Sequence, residues 1–137
     1  MSRPSGTTKR RSRGEIETLL LELLAAADRP LSAYALADRA TAAGHRTVPN
    51  QVYRTLERLT REGRVHRLES MSAFILRRGQ ADVSLICDDC HAVQTLAAAE
   101  LVARLLRCAR YTGFEGQKAV VELHGRCADC STSYRVA

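Results

Sequence analysis

Two Cys-x-x-Cys pairs, Cys87-Asp-Asp-Cys90 and Cys127-Ala-Asp-Cys130, constrain this chain more than any other feature. Four thiols at that spacing suit a tetrahedral Zn²⁺: each pair bites the metal from a tight knuckle, and two pairs complete the coordination shell. In a reducing compartment such pairs are metal ligands more often than disulfides, and a redox disulfide pair is the competing reading. Four sulfurs leave no open coordination position, so the metal is expected to hold the fold rather than do chemistry. The 36 residues between the pairs are too many for a simple zinc ribbon. They leave room for a strand, a helix and a strand to depart from the first knuckle and return to the second. The fifth cysteine, Cys108, shares the apolar face of a helix expected over 97–111 with Leu101 and Leu105, and reads as a buried small hydrophobe.

Upstream of the knuckles the hydrophobic period is helical. Ile16, Leu19, Leu20, Leu23, Leu24 and Ala27 recur on one helical face. Pro30 ends that helix; Ser32 is placed to cap a second one through Leu36 and Ala40, which Gly44 closes. Thr47-Val48-Pro49 opens a third helix that runs to about Glu62 and stops at Gly63. Then the period shortens. Val65 to Arg67 and Ala73 to Leu76 read as two strands of a hairpin around Glu69-Ser-Met-Ser72. Three helices followed by a hairpin is the order of a winged helix-turn-helix.

The expected fold is therefore α+β. A basic flexible arm occupies 1–13, a winged helix-turn-helix 14–78 and a hinge 79–82. A small α/β domain with the four-cysteine zinc site follows at 83–137, with strands near Val83–Ile86, Ala92–Thr95 and Ala119–Leu123. A length of 137 residues suits two such small domains. No run of about 18 apolar residues is present, and Glu17 and Glu22 interrupt the nearest leader-like stretch, so the protein is expected in the cytoplasm, without a membrane partner.

Charge divides the chain the same way. Residues 1–79 carry 15 Lys/Arg against 8 Asp/Glu, a net of +7, and residues 80–137 carry 6 against 7, a net of −1. A basic half joined to a neutral half points to a polyanion at one end only. On the third helix Val52, Leu56 and Leu59 share one side, while Asn50, Tyr53, Arg54, Glu57, Arg58 and Arg61 collect on the other. Arg for guanine, Asn for adenine and an aromatic for a thymine methyl are what a major groove recognises. Base readers lie near the start of a recognition helix, which favours Asn50, Gln51, Tyr53 and Arg54. The bland alternative is a solvated helix face. The wing after the helix and the basic arm before it favour double-stranded DNA.

These parts in this order resemble the ferric uptake regulator family. Pro49-Asn-Gln-Val-Tyr-Arg-Thr-Leu-Glu-Arg-Leu59 is similar to its recognition helix, and Ile86-Cys-Asp-Asp-Cys90 and Glu122-Leu-His-Gly-Arg-Cys127 extend the match. Ser32-Ala-Tyr34 and Val65-His-Arg-Leu-Glu-Ser70 look most like the zinc uptake regulator branch. The resemblance implies a homodimeric repressor of metal-homeostasis genes that binds pseudo-palindromic operators. It makes the second domain a dimerisation domain, Cys87, Cys90, Cys127 and Cys130 the ligands of one structural zinc per chain, and Tyr53 and Arg54 DNA readers. It also implies a regulatory metal site at the hinge, and here the chain departs from the pattern. Only His66 stands where a ligand is wanted; Arg77 replaces a cysteine, Gln80-Ala-Asp-Val-Ser-Leu85 a histidine-rich stretch, and Thr95 an acidic residue. His66 is then a remnant, a second metal is not expected, and Arg77 is expected to pair with Asp82 or Glu69.

Two other functions compete. One is an antirepressor or DNA-binding partner that heterodimerises with a metal-sensing relative. The other, a zinc nucleobase deaminase, needs a Glu beside a ligand and an open metal position, and the chain has neither a His-x-Glu signature nor a free position. No enzyme is expected.

Overall fold

The computed structural model describes residues 13–133. The expected basic arm lies outside them, except that Arg13 begins the first helix. The elements are α1 (Arg13–Ala26), α2 (Ala33–Ala42), α3 (Pro49–Arg61), β1 (Val65–Leu68), β2 (Ala73–Leu76), β3 (Val83–Cys87), β4 (Val93–Leu96), α4 (Ala99–Arg110), β5 (Glu122–Gly125) and α5 (Ala128–Ser133).

Local chemistry sets the boundaries of the first lobe. Ser32 is extended at φ −71°, ψ 163°, and its hydroxyl accepts the Ala35 amide at 3.0 Å, capping α2. Gly63 at φ +74° takes the left-handed conformation that ends α3, a conformation costly for a residue with a Cβ. The three helices meet through Leu20, Leu36, Val52, Leu56 and Leu59, each fully buried. Burial of one such leucine contributes about 1.5–3 kcal/mol. The wing β1–β2 is antiparallel, with Val65 opposite Leu76 and Leu68 opposite Ala73. A 3-10 turn over Glu69–Met71 forms its tip, and Ser72 (φ +47°) turns the chain back. Leu31 exchanges backbone hydrogen bonds with Phe74, so the α1–α2 loop adds a third rung to the wing.

The second lobe is a three-stranded sheet in the order β4-β3-β5. β3 pairs antiparallel with β4 and parallel with β5, so the chain must cross over between β4 and β5, and α4 supplies the crossover. The last strand starts three residues later than its apolar run suggests. Ser84 lies opposite Glu122 and Cys87 opposite Gly125, the register that brings the second knuckle to the first. A correction concerns Cys108, which is exposed rather than buried. The reason lies in the whole helix: α4 has no buried residue, because nothing in the single chain covers its apolar face.

Candidate metal centre and nucleic-acid interface

The register of β3 with β5 gathers the four cysteines. Cys87 ends β3, and the Asp88 amide donates to the Gly125 carbonyl at 2.8 Å. His91, in the left-handed region at φ +62°, lets the knuckle close so that the Cys87 amide reaches the Ala92 carbonyl at 3.0 Å. Cys127 follows β5, and Cys130 lies in the short α5. Their sulfurs all lie within 4.8 Å of one another, the only such group of three or more metal-ligating side chains among the described residues. Cys90 Sγ and Cys127 Sγ are 3.8 Å apart. A tetrahedron with Zn–S bonds of about 2.3 Å has an edge of about 3.8 Å, so the set fits zinc.

The charges fit as well. The Cys90 and Cys127 amides draw the Cys87 thiol down to about 6, while the Cys127 and Cys87 sulfurs push Cys130 up. Four sulfurs this close cannot all be thiolates without a cation among them. A bound zinc would supply that positive charge and fix the knuckles; it has no vacant position for a substrate.

On α3 the expected readers divide into groups. Asn50, Gln51 and Arg54 are exposed. Tyr53 is half-buried, its ring packed against the first-lobe core. Arg58 is not a free surface cation: its guanidinium donates to Glu17 of α1 at 3.0 Å and to Glu62 at 3.3 Å. Arg64 converges on the same Glu17 carboxylate. Arg61 is exposed but lines the cleft between the lobes, together with Glu57 and His66. The groups that remain at the start of α3 are thus Asn50, Gln51 and Arg54, with the Tyr53 edge beside them. No side chain caps this helix, since its N-cap residue is Val48 and Pro49 opens it. Pro49 has no N–H, and the Gln51 and Val52 amides both donate to the Val48 carbonyl, at 3.1 and 3.3 Å, while the positive end of the helix dipole still favours a phosphate there.

The cleft between wing and second lobe holds the rest. Its lining includes His66, Arg67, Glu69, Ser84, Lys118 and Glu122. His66 Nε2 lies 3.0 Å from Ser84 Oγ, and burial, followed by the charge of Arg77, makes this imidazole hard to protonate. Arg77 pairs with neither Asp82 nor Glu69. Its Nε donates to the Gly79 carbonyl at 3.0 Å, Asp82 accepts the Ala98 amide at 2.8 Å, and Glu69 pairs with Arg67 and Lys118. Sequence reasoning gave no role to Glu17, Ser84 or Glu122. Each acts on a partner far along the chain, and no local pattern marks such a residue.

Known proteins agree with this geometry. The model of the ferric uptake regulator family matches residues 7–124. The zinc uptake regulation protein of Escherichia coli (strain K12) is 33% identical over 116 residues, covering 81% of this chain and 68% of that protein. The crystal structure of holo XcZur superposes with a TM-score of 0.77 at 36% identity, over 85% of this chain and 84% of the other. A zinc uptake regulator complexed with zinc and DNA gives 0.78 at 31% identity, over 86% and 82%. This chain belongs to the ferric uptake regulator family, on the side of its zinc uptake regulators.

Proposed function

We propose that this chain is a homodimeric DNA-binding repressor of metal-homeostasis genes, carrying one structural zinc per chain at Cys87, Cys90, Cys127 and Cys130. The observation that carries the reading is the start of α3. Exposed Asn50, Gln51 and Arg54 stand on a helix held rigidly by Val52, Leu56 and Leu59, on a fold whose relative has been solved on DNA. Rigid placement matters because base contacts discriminate only when the donors are held in register. The role is that of a regulator rather than an enzyme, and its place is the cytoplasm. Among the described residues no helix is long and apolar enough to cross a membrane.

The second lobe supports the dimer. α4 is amphipathic in sequence yet buries nothing, and Leu101 and Leu105 are each 46% exposed. Contiguous apolar surface of this kind marks an interaction site. At the hinge, His66 faces Ser84 with Arg77 close by, a poor environment for a divalent cation, and this favours a single zinc.

Binding of Arg54→Ala to a duplex selected by the protein from a random library tests the reading. The variant should lose about 1–3 kcal/mol of specific affinity and keep its non-specific affinity. Equal loss on every sequence would make Arg54 a phosphate contact, and no loss would remove α3 as the reader.

A further inference from the structure

The wing tip is tied to the second lobe by side chains of β5 and of the segment that leads into it. Glu122, the first residue of β5, accepts the Glu69 amide at 2.6 Å on one carboxylate oxygen and the Ser70 amide at 3.1 Å on the other. Those two amides open the 3-10 turn at the tip of the wing, where backbone donors have no partner of their own. Two residues along the same strand face, His124 Nε2 lies 2.8 Å from Ser70 Oγ, and its Nδ1 lies 3.1 Å from Asp88 Oδ1 in the first knuckle. Lys118 Nζ reaches Glu69 at 3.1 Å, and His66 meets Ser84 at the base of the wing. The Glu122, His124–Ser70, Lys118–Glu69 and His66–Ser84 contacts join the DNA-reading lobe to the second lobe, and His124–Asp88 carries the tie on to the first knuckle.

We propose that Glu122 is the positioning residue of this protein: its carboxylate, gripping two backbone amides of the wing tip, latches the lobes in one arrangement without a cation at the hinge. Glu122 does not touch DNA. It acts by fixing where β1 and β2, and with them α3, stand relative to the second lobe and its partner copy. Charge-assisted hydrogen bonds to two adjacent donors fix direction as well as distance, as one neutral bond cannot. The network also reaches the zinc site, because Asp88 lies between Cys87 and Cys90 and holds the His124 that holds Ser70. Among the described residues no second cluster of metal-ligating groups offers a rival latch.

The consequence for operator binding rests on the proposed function; the latch itself does not. The test uses the full chain holding one zinc, as wild type, Glu122→Ala and Glu122→Gln. Amide hydrogen exchange is read across 65–76 alongside zinc content, dimer mass and operator affinity. Glu122→Ala should speed exchange of the Glu69 and Ser70 amides by roughly tenfold or more at unchanged zinc content. Its operator affinity should fall by about tenfold with non-specific affinity unchanged. Glu122→Gln, which keeps an acceptor but no charge, should fall between, and it carries the test if the alanine variant loses its zinc. Unchanged exchange in both variants overturns the latch. So does a slowing of wing exchange by about tenfold when wild type receives a second equivalent of Zn²⁺, Fe²⁺ or Mn²⁺, since a cation would then be doing the work. Faster exchange in a protein whose wild type prefers no DNA sequence would leave the latch standing and remove the DNA reading instead.

Discussion

Glu17 shows how a single side chain decides what its neighbours are free to do. Arg58, and then Arg64, hold its carboxyl below the usual carboxylate range, and it in turn takes the Arg58 guanidinium away from the solvated face of α3 and draws in Arg64 from the turn that follows. A carboxylate with a lowered value stabilises the folded state fully above its unfolded value, and the contribution is lost as pH falls through the folded value. Glu17→Gln should therefore lower the melting temperature at neutral pH, and the gap to wild type should close as pH drops below about 4.5, the ordinary value for glutamate. Thermal melts of both proteins across that range check it; a gap independent of pH would mean that packing, not charge, is what Glu17 supplies. The same site marks a limit of sequence reading. That Arg58 lies on the polar side of α3 follows from a 3.6-residue period. That it is bound to a carboxylate 41 residues earlier does not, because ion-pair partners follow from how helices pack.

Elements whose ends are set by neighbouring residues were legible; those set by pairing across the fold were not. Ser32, Gly44 and Gly63 act on their own backbones, so α2 and α3 begin and end where their sequence indicates. Ser32→Ala should cost about 1 kcal/mol of unfolding free energy by removing the hydroxyl that caps α2, measured by urea denaturation. Ser32→Gly should cost only a few tenths, and equal losses would show that the hydroxyl is idle. The wing was legible for the same reason, as two short runs with strand composition flank a turn-forming segment, Glu69-Ser-Met-Ser72. β5 was not. Ala119-Val-Val-Glu-Leu123 has strand composition throughout, and only the parallel register with β3 selects Glu122–Gly125. α5 has six residues and no apolar period; its start follows from Ser131 donating to the Cys127 carbonyl at 2.9 Å, behind a knuckle that a metal would hold. Both knuckles were plain from their spacing, whereas the carboxylate that latches the wing was not, since Glu122 reads as an ordinary polar residue of an edge strand.

At the scale of the whole molecule the two lobes are stabilised differently. The first has a core built mainly of leucines from three helices and closed by Val65 and Phe74 of the wing. Among the described residues the second buries only Val83, Ser84, Ile86 and Cys87, while Leu96, Leu101, Leu105, Val120 and Leu123 stay 39–56% exposed. A sheet of three strands with one uncovered helix is short of apolar burial, and the proposed zinc and second copy would supply what it lacks. Leu105 therefore offers a direct test. In a twofold dimer every contact occurs twice, so removing a leucine worth about 1.5–3 kcal/mol from each copy weakens association by about 3–6 kcal/mol. Leu105→Glu should do at least that, since it also places a carboxylate in the contact. Sedimentation should show wild type as a dimer and the zinc-loaded variant as a monomer, with zinc content unchanged because no proposed ligand has been touched. Half-site binding should survive, because α3 and the core beneath it lie in the other lobe, while affinity for the full palindrome should drop to that of a half-site. A variant that remains dimeric would place the contact elsewhere on the second lobe, and the exposed face of α4 would then need another explanation.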